Sequence, residues 1–88
     1  NPSEAVVKDT NVLNLIIDYP VKKPYTKKIY NYTGYFTVKK LYLEFIIAFK
    51  EVYNNEDLYK PWRDYGQFLI NSFVYDPKTN SVRGDYTS

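Results

Sequence analysis

The sequence predicts an α+β fold in which one amphipathic helix packs on a small mixed or antiparallel sheet, in the order strand, strand, helix, strand, strand (ββαββ). Three observations carry this expectation: apolar alternation over residues 12–19, a helical apolar period over residues 38–54, and two β-favouring runs either side of Asp76-Pro77-Lys78-Thr79-Asn80. Alternation of period two marks a half-buried strand, and a period of 3.6 marks a helix with one oily side.

Residues 1–10 are too short a stretch to separate one helical turn from an edge strand. Beyond them Leu13, Leu15, Ile17 and Tyr19 share one strand face, while Asn14 and Asp18 take the other. Pro20 closes this run, because proline has no amide to give a ladder. After the polar connection over residues 20–24, the Tyr-rich run 27–33 predicts a second strand ending at Thr33-Gly34, near enough to the first to form a hairpin.

Thr37 has the chemistry of a helix N-cap, and the helix is expected to reach Asn54. At about 100° per residue, Ala48, Leu41, Val52, Phe45, Val38, Phe49, Tyr42, Tyr53 and Ile46 fill one arc of roughly 160°, wide enough to cover a sheet. Leu43 and Ile47 fall outside it, among Lys39, Lys40, Glu44, Lys50 and Glu51. Residues 58–65 read as a turn or short helix around Pro61-Trp62-Arg63-Asp64. Residues 68–75 show little alternation, the pattern of a strand buried on both faces or central in a sheet. The turn over 76–80 then returns residues 81–86 as their partner.

This order, with a helix across one face of a mixed sheet, is similar to the β-grasp architecture of ubiquitin-like domains. The similarity is topological and implies a small interaction module; fold alone does not fix function. The 88 residues are expected to form one domain, with 1–10 as an arm or short element. A domain of this size buries only roughly 60 to 65% of its unfolded surface, so its stability is modest. The longest apolar run, residues 45–49, is far short of a membrane span of about 20 residues. No signal-peptide pattern is present, but the chain starts at Asn1 and contains no Met, so an upstream segment is expected to have been trimmed or omitted. With no Cys to suggest an oxidising compartment, a cytoplasmic or nuclear location is favoured.

The absence of His and Cys excludes hydrolysis built on a histidine base, thiol chemistry, and zinc or haem sites resting on imidazole or thiolate. The only glycines, Gly34, Gly66 and Gly84, form no phosphate loop. Carboxylates could still pair as acid and base, but Glu56-Asp57 is the only adjacent pair and belongs in a solvated loop. A catalytic tyrosine would need several basic or histidine neighbours, whereas the chain has no His and its only arginines are Arg63 and Arg83. No enzyme activity, cofactor, metal or small-molecule substrate is therefore expected.

Two kinds of surface remain. Residues 19–43 contain six lysines and no acid, a formal +6 against +2 for the chain. Lys22, Lys23, Lys27, Lys28, Lys39 and Lys40 are interleaved there with Tyr25, Tyr30, Tyr32, Tyr35 and Phe36. Single-stranded nucleic-acid binders use that mixture, ammonium groups following phosphates and rings stacking on bases. Lysines on a hairpin also serve simply to protect a sheet edge. The eleven tyrosines suit interfaces, although AT-rich coding would enrich them too.

The other surface is apolar: Leu43 and Ile47 bordered by Lys40, Glu44, Lys50 and Glu51, which is the composition of a small protein interface unless the N-terminal residues cover it. Trp62 and Arg63 are hot-spot residue types, with core capping the alternative for the tryptophan. Arg83-Gly84-Asp85 matches an integrin-binding tripeptide but falls in a predicted strand, and Asn31-Tyr32-Thr33 is a glycosylation sequon that matters only after secretion. The first expectation is therefore a non-catalytic domain that binds another protein, or its own copy, within a larger assembly. The alternative is a single-stranded nucleic-acid binder using the Lys/Tyr hairpin.

Overall fold

The computed structural model describes residues 4–19, 21–55, 57–58 and 69–87. The start of the chain forms β1 (Ala5–Lys8), the alternating run forms β2 (Val12–Ile17), the Tyr-rich segment forms β3 (Tyr25–Tyr30), and the chain then makes β4 (Tyr35–Thr37). A single helix α1 (Val38–Tyr53) follows, and β5 (Leu69–Asp76) and β6 (Ser81–Thr87) complete the order. The fold is α+β, with the helix packed against a mixed sheet of order β3-β2-β6-β5. Its two hairpins, β2–β3 and β5–β6, are antiparallel, and they join through the parallel pair β2–β6.

Alternation works as the pattern requires. Leu13, Leu15 and Ile17 of β2 point into the core, together with Ile29 of β3, Val82 of β6 and Leu41, Phe45, Ala48 and Val52 of the helix. Phe45 meets the ring of Phe73 from β5 at a centroid distance of 5.3 Å. The helix begins where Thr37, in an extended conformation, accepts the Lys40 amide on its side chain at 3.1 Å, and it ends at the C-cap Asn54. Both ends match the sequence reading.

One open alternative is decided and three expectations are corrected. The N-terminal stretch is a strand: β1 pairs with β4 as a separate two-stranded ribbon, putting Val7 and Phe36 into the core. The second strand covers Tyr25–Tyr30 rather than 27–33, because Asn31 and Gly34 form a tight turn there, with Gly34 at φ +83° and its amide donating to the Asn31 carbonyl. β5 lies at the end of the sheet rather than inside it. Its weak alternation comes from a register shift between Ile70 and Ser72, beyond which Phe73 and Tyr75 turn inward while Ser72, Val74 and Asp76 face out. Finally, Tyr42, Ile46 and Tyr53 do not cover the sheet but lie exposed. The buried stripe is narrower than the predicted arc because the helix meets β2, β3 and β4 and, through Phe45, the Phe73 ring of β5 along the line of Leu41, Phe45, Ala48 and Val52.

The loop between β5 and β6 fixes how the hairpins meet. Asn80 sits in the left-handed region at φ 50°, donates its side-chain amide to the Val12 carbonyl at 2.9 Å, and accepts the Tyr75 hydroxyl at 3.0 Å. Its carbonyl accepts the Asn14 amide at 2.9 Å. One residue thus ties the turn to the start of β2.

Candidate functional site

On the solvent side of α1, Tyr42, Leu43, Ile46, Ile47 and Tyr53 are each between 37% (Ile46) and 54% (Tyr53) exposed. Helical spacing sorts them into two adjacent columns: Tyr42, Ile46 and Tyr53 with half-buried Phe49 at steps of four, three and four, and Leu43 with Ile47 at a step of four. The sequence reading singled out the second column and placed the first in the core. The signal it passed over was width, since an arc of nine apolar residues exceeds what one helix can lay against a four-stranded sheet. Described residues 4–10 do not cover this face, because β1 is taken up by β4.

The charges at its margin are of two kinds. Lys40 pairs with Glu44 at 3.4 Å, and Glu51 is engaged by β3. Lys39 and Lys50 are exposed and have no acidic partner among the described residues. Eleven residues apart, they stand about 16 Å from one another along the axis, one towards each end of the apolar columns. Trp62 and Arg63, the other expected contact residues, lie outside the described residues.

The Lys/Tyr window is not gathered on one face. Tyr25 and Lys27 point to the helix side of β3, where both donate to the Glu51 carboxylate, Lys27 at 2.5 Å. Lys28 and Tyr30 are exposed on the opposite face, Lys22 and Lys23 lie in the preceding connection, Tyr32 is 96% exposed in the turn, and Phe36 is buried. Lys39 and Lys40 stand on the helix. The stacking platform expected of a nucleic-acid binder is therefore divided.

The Lys27 hydrogen bond, then that of Tyr25, holds the Glu51 carboxyl below the usual carboxylate range. The bond to Glu51 in turn raises the Tyr25 hydroxyl above its ordinary value, with partial burial and the Glu51 charge adding to it. A tyrosine held more firmly protonated is a poorer nucleophile, so this cluster is a brace between helix and sheet. Its pH dependence follows from the signs. A lowered carboxylate stabilises the fold above its unfolded value near 4.3, and the contribution disappears as pH falls through the lowered folded value. A raised tyrosine stabilises below about 10, and the contribution disappears as pH rises through the raised value. Because the pair is partly exposed and screened, Glu51→Gln is expected to cost only about 0.5 kcal/mol near neutral pH. Urea titrations should find that cost shrinking towards zero in acid, and the cost of Tyr25→Phe shrinking in strong alkali.

Arg83-Gly84-Asp85 lies within β6, between two strands, with Gly84 buried and Arg83 3.8 Å from Asp18. That is a paired extended segment, not a loop tip. Asn31 of the sequon donates to the Tyr35 carbonyl at 2.8 Å and is half-buried. Beside Arg83 a shallow depression of about 480 Å³, lined by Ile16, Val74, Asp76 and Ser81 among others, opens on the sheet face away from the helix. Among the described residues no three Asp or Glu side chains gather to hold a metal, and no helix is long and apolar enough to cross a membrane. Compared with protein-family models, curated proteins and solved structures, the chain finds no match.

Proposed function

We propose that this chain is a non-catalytic protein-interaction domain whose contact surface is the solvent side of α1, and that its partner presents an apolar helical stripe with acidic residues towards both ends. The carrying observation is the exposure of Tyr42, Leu43, Ile46, Ile47 and Tyr53 on one surface of sixteen helical residues. Single exposed aliphatics are ordinary, but five large apolar side chains in two adjoining columns form a patch. The helix spacing suits knobs from a second helix. Lys39 and Lys50 supply the sign: a second copy of this face would add two more such lysines while its Glu44 and Glu51 are already engaged by Lys40 and Lys27, whereas an acidic partner neutralises them. The ubiquitin-like reading of the fold is supported by the parallel β2–β6 pair flanked by two hairpins under one helix, and it fits an interaction role without adding to the evidence for one.

The test uses two synthetic amphipathic helices with the same leucine seam, one ending in glutamates and one in lysines, titrated into the isotopically labelled chain. Binding of the acidic helix should shift the amides of residues 39–53. Leu43→Asp and Ile47→Asp should each weaken it at least tenfold, the loss of about 1.4 kcal/mol or more that an interface anchor causes, while changing fold stability by no more than about 0.5 kcal/mol, as expected of exposed positions. Dimerisation without peptide would replace the acidic partner by a second copy. Preference for an oligonucleotide, with a steep loss of binding as salt rises, would favour the nucleic-acid reading instead.

A further inference from the structure

A second surface is written in the backbone of β3. This strand is the outermost on its side of the sheet and pairs, among the described residues, with β2 alone. The Asn31 amide donates to the Asn11 carbonyl at 2.9 Å in the same register that aligns Val12 with Tyr30. Antiparallel ladders alternate bonded and non-bonded pairs. Leu13/Ile29, Leu15/Lys27 and Ile17/Tyr25 are therefore the bonded pairs, and the N–H and C=O groups of Thr26, Lys28 and Tyr30 point away from β2. All three residues are exposed. The edge thus offers three donors and three acceptors in alternation over about 14 Å.

Away from the Glu51 carboxylate on its helix-facing side, the charge carried by this strand and the connection before it is positive. Lys28 lies on it, Lys22 and Lys23 stand in the connection before it, and no acid occurs between residues 19 and 43. Lysine on an edge strand opposes pairing with another copy, since two such edges would set like charges against each other. The opposite edge, β5, is broken by its register shift. Nucleic acid is a poor complement for the β3 edge, because phosphates accept hydrogen bonds and leave the outward carbonyls unmet. A peptide strand meets donors and acceptors together.

We propose that the outer edge of β3 takes up an extended acidic peptide as an added strand, with acidic side chains on the face that carries Lys28. On the helix-facing side the added strand would run beside Tyr25 and Lys27, whose polar groups are already committed to Glu51, so that side asks for apolar residues. The mode is strand addition, in which main-chain bonds give affinity and alternate side chains give selectivity.

The probe is a capped octapeptide alternating valine and glutamate, with a valine/lysine octapeptide and a ten-nucleotide oligothymidine as comparators, each titrated into the labelled 88-residue chain. Amide exchange at Thr26, Lys28 and Tyr30 should slow with the glutamate peptide, and binding should weaken as salt rises. Lys28→Pro removes the central outward donor without removing a bond to β2, and should reduce affinity by roughly five- to tenfold, the worth of one hydrogen bond. Lys28→Glu should weaken the glutamate peptide and favour the lysine one, which keeps the test open if the proline variant does not fold. Equal binding of both peptides, no protection at the three amides under saturation, or protection by oligothymidine instead would each overturn the proposal. Shifts confined to residues 39–53 would overturn it too, while leaving the helix-face reading intact.

Discussion

Phe45→Ala is expected to cost about 4 kcal/mol, the loss typical of a large aromatic truncated in a packed core. Phe45 has no exposed surface, and its ring packs against Phe73 at 5.3 Å and Phe49 at 6.1 Å. Through it the helix meets Phe73 of β5, a strand that also pairs antiparallel with β6 and touches β1. A domain of this length has a total stability of about 4 to 13 kcal/mol, so the variant should lose between roughly a third and all of it. Urea unfolding followed by circular dichroism would show a lower midpoint with an unchanged slope. A loss under about 1.5 kcal/mol would mean that the neighbouring rings collapse into the space and that the helix is held mainly by Leu41, Ala48 and Val52.

This result matters for function because the same helix carries the proposed contact surface. Phe45 and Leu43 are two residues apart and point to opposite sides, one to the sheet and one to solvent. If stability and binding are separable, Phe45→Ala should weaken the fold and Leu43→Asp should remove only the partner. A Leu43 substitution that also cost several kcal/mol would place that residue in a packed contact and dissolve the surface.

The sequence made the helix legible to its last residue, because a threonine cap, a helical period and an asparagine stop all point to the same boundaries. It made β2 legible for the same reason, with three apolar residues at strict alternation. β4 escaped notice because a three-residue strand carries no period of its own; Tyr35-Phe36-Thr37 looks like the approach to a helix cap, and only its pairing with β1 identifies it. The position of β5 was misread because a register shift blurs the alternation that separates an edge strand from a central one. The exposed helix face was half visible. Leu43 and Ile47 stand among charges and declare themselves, while Tyr42, Ile46 and Tyr53 adjoin the buried stripe, where composition alone cannot tell core from contact.

The Asn80 variants address how the two hairpins are held in register, a feature that depends on residues more than sixty positions apart. Asn80→Ala is expected to cost about 2 to 3 kcal/mol, combining two lost side-chain hydrogen bonds with the strain of a Cβ in the left-handed region. The lost bonds strand the Tyr75 hydroxyl in a half-buried site and leave the Val12 carbonyl with the Thr10 hydroxyl, which donates to it at 2.6 Å, as its remaining side-chain donor. Asn80→Gly loses the same bonds but accepts φ 50° without strain, so it should be the milder change by about 1 kcal/mol, less whatever the extra freedom of its unfolded chain costs. Denaturant titration of the three proteins should therefore rank native above glycine above alanine. Amide exchange gives the independent reading: Asn14 donates to the Asn80 carbonyl and aligns with Ser81 in the parallel pair, so its protection should fall in both variants while that of Leu41 inside the helix holds. Equal losses for glycine and alanine would remove the strain from the account, and an unchanged Asn14 amide would mean that the parallel register is set by core packing of Leu15 against Val82 and not by the turn.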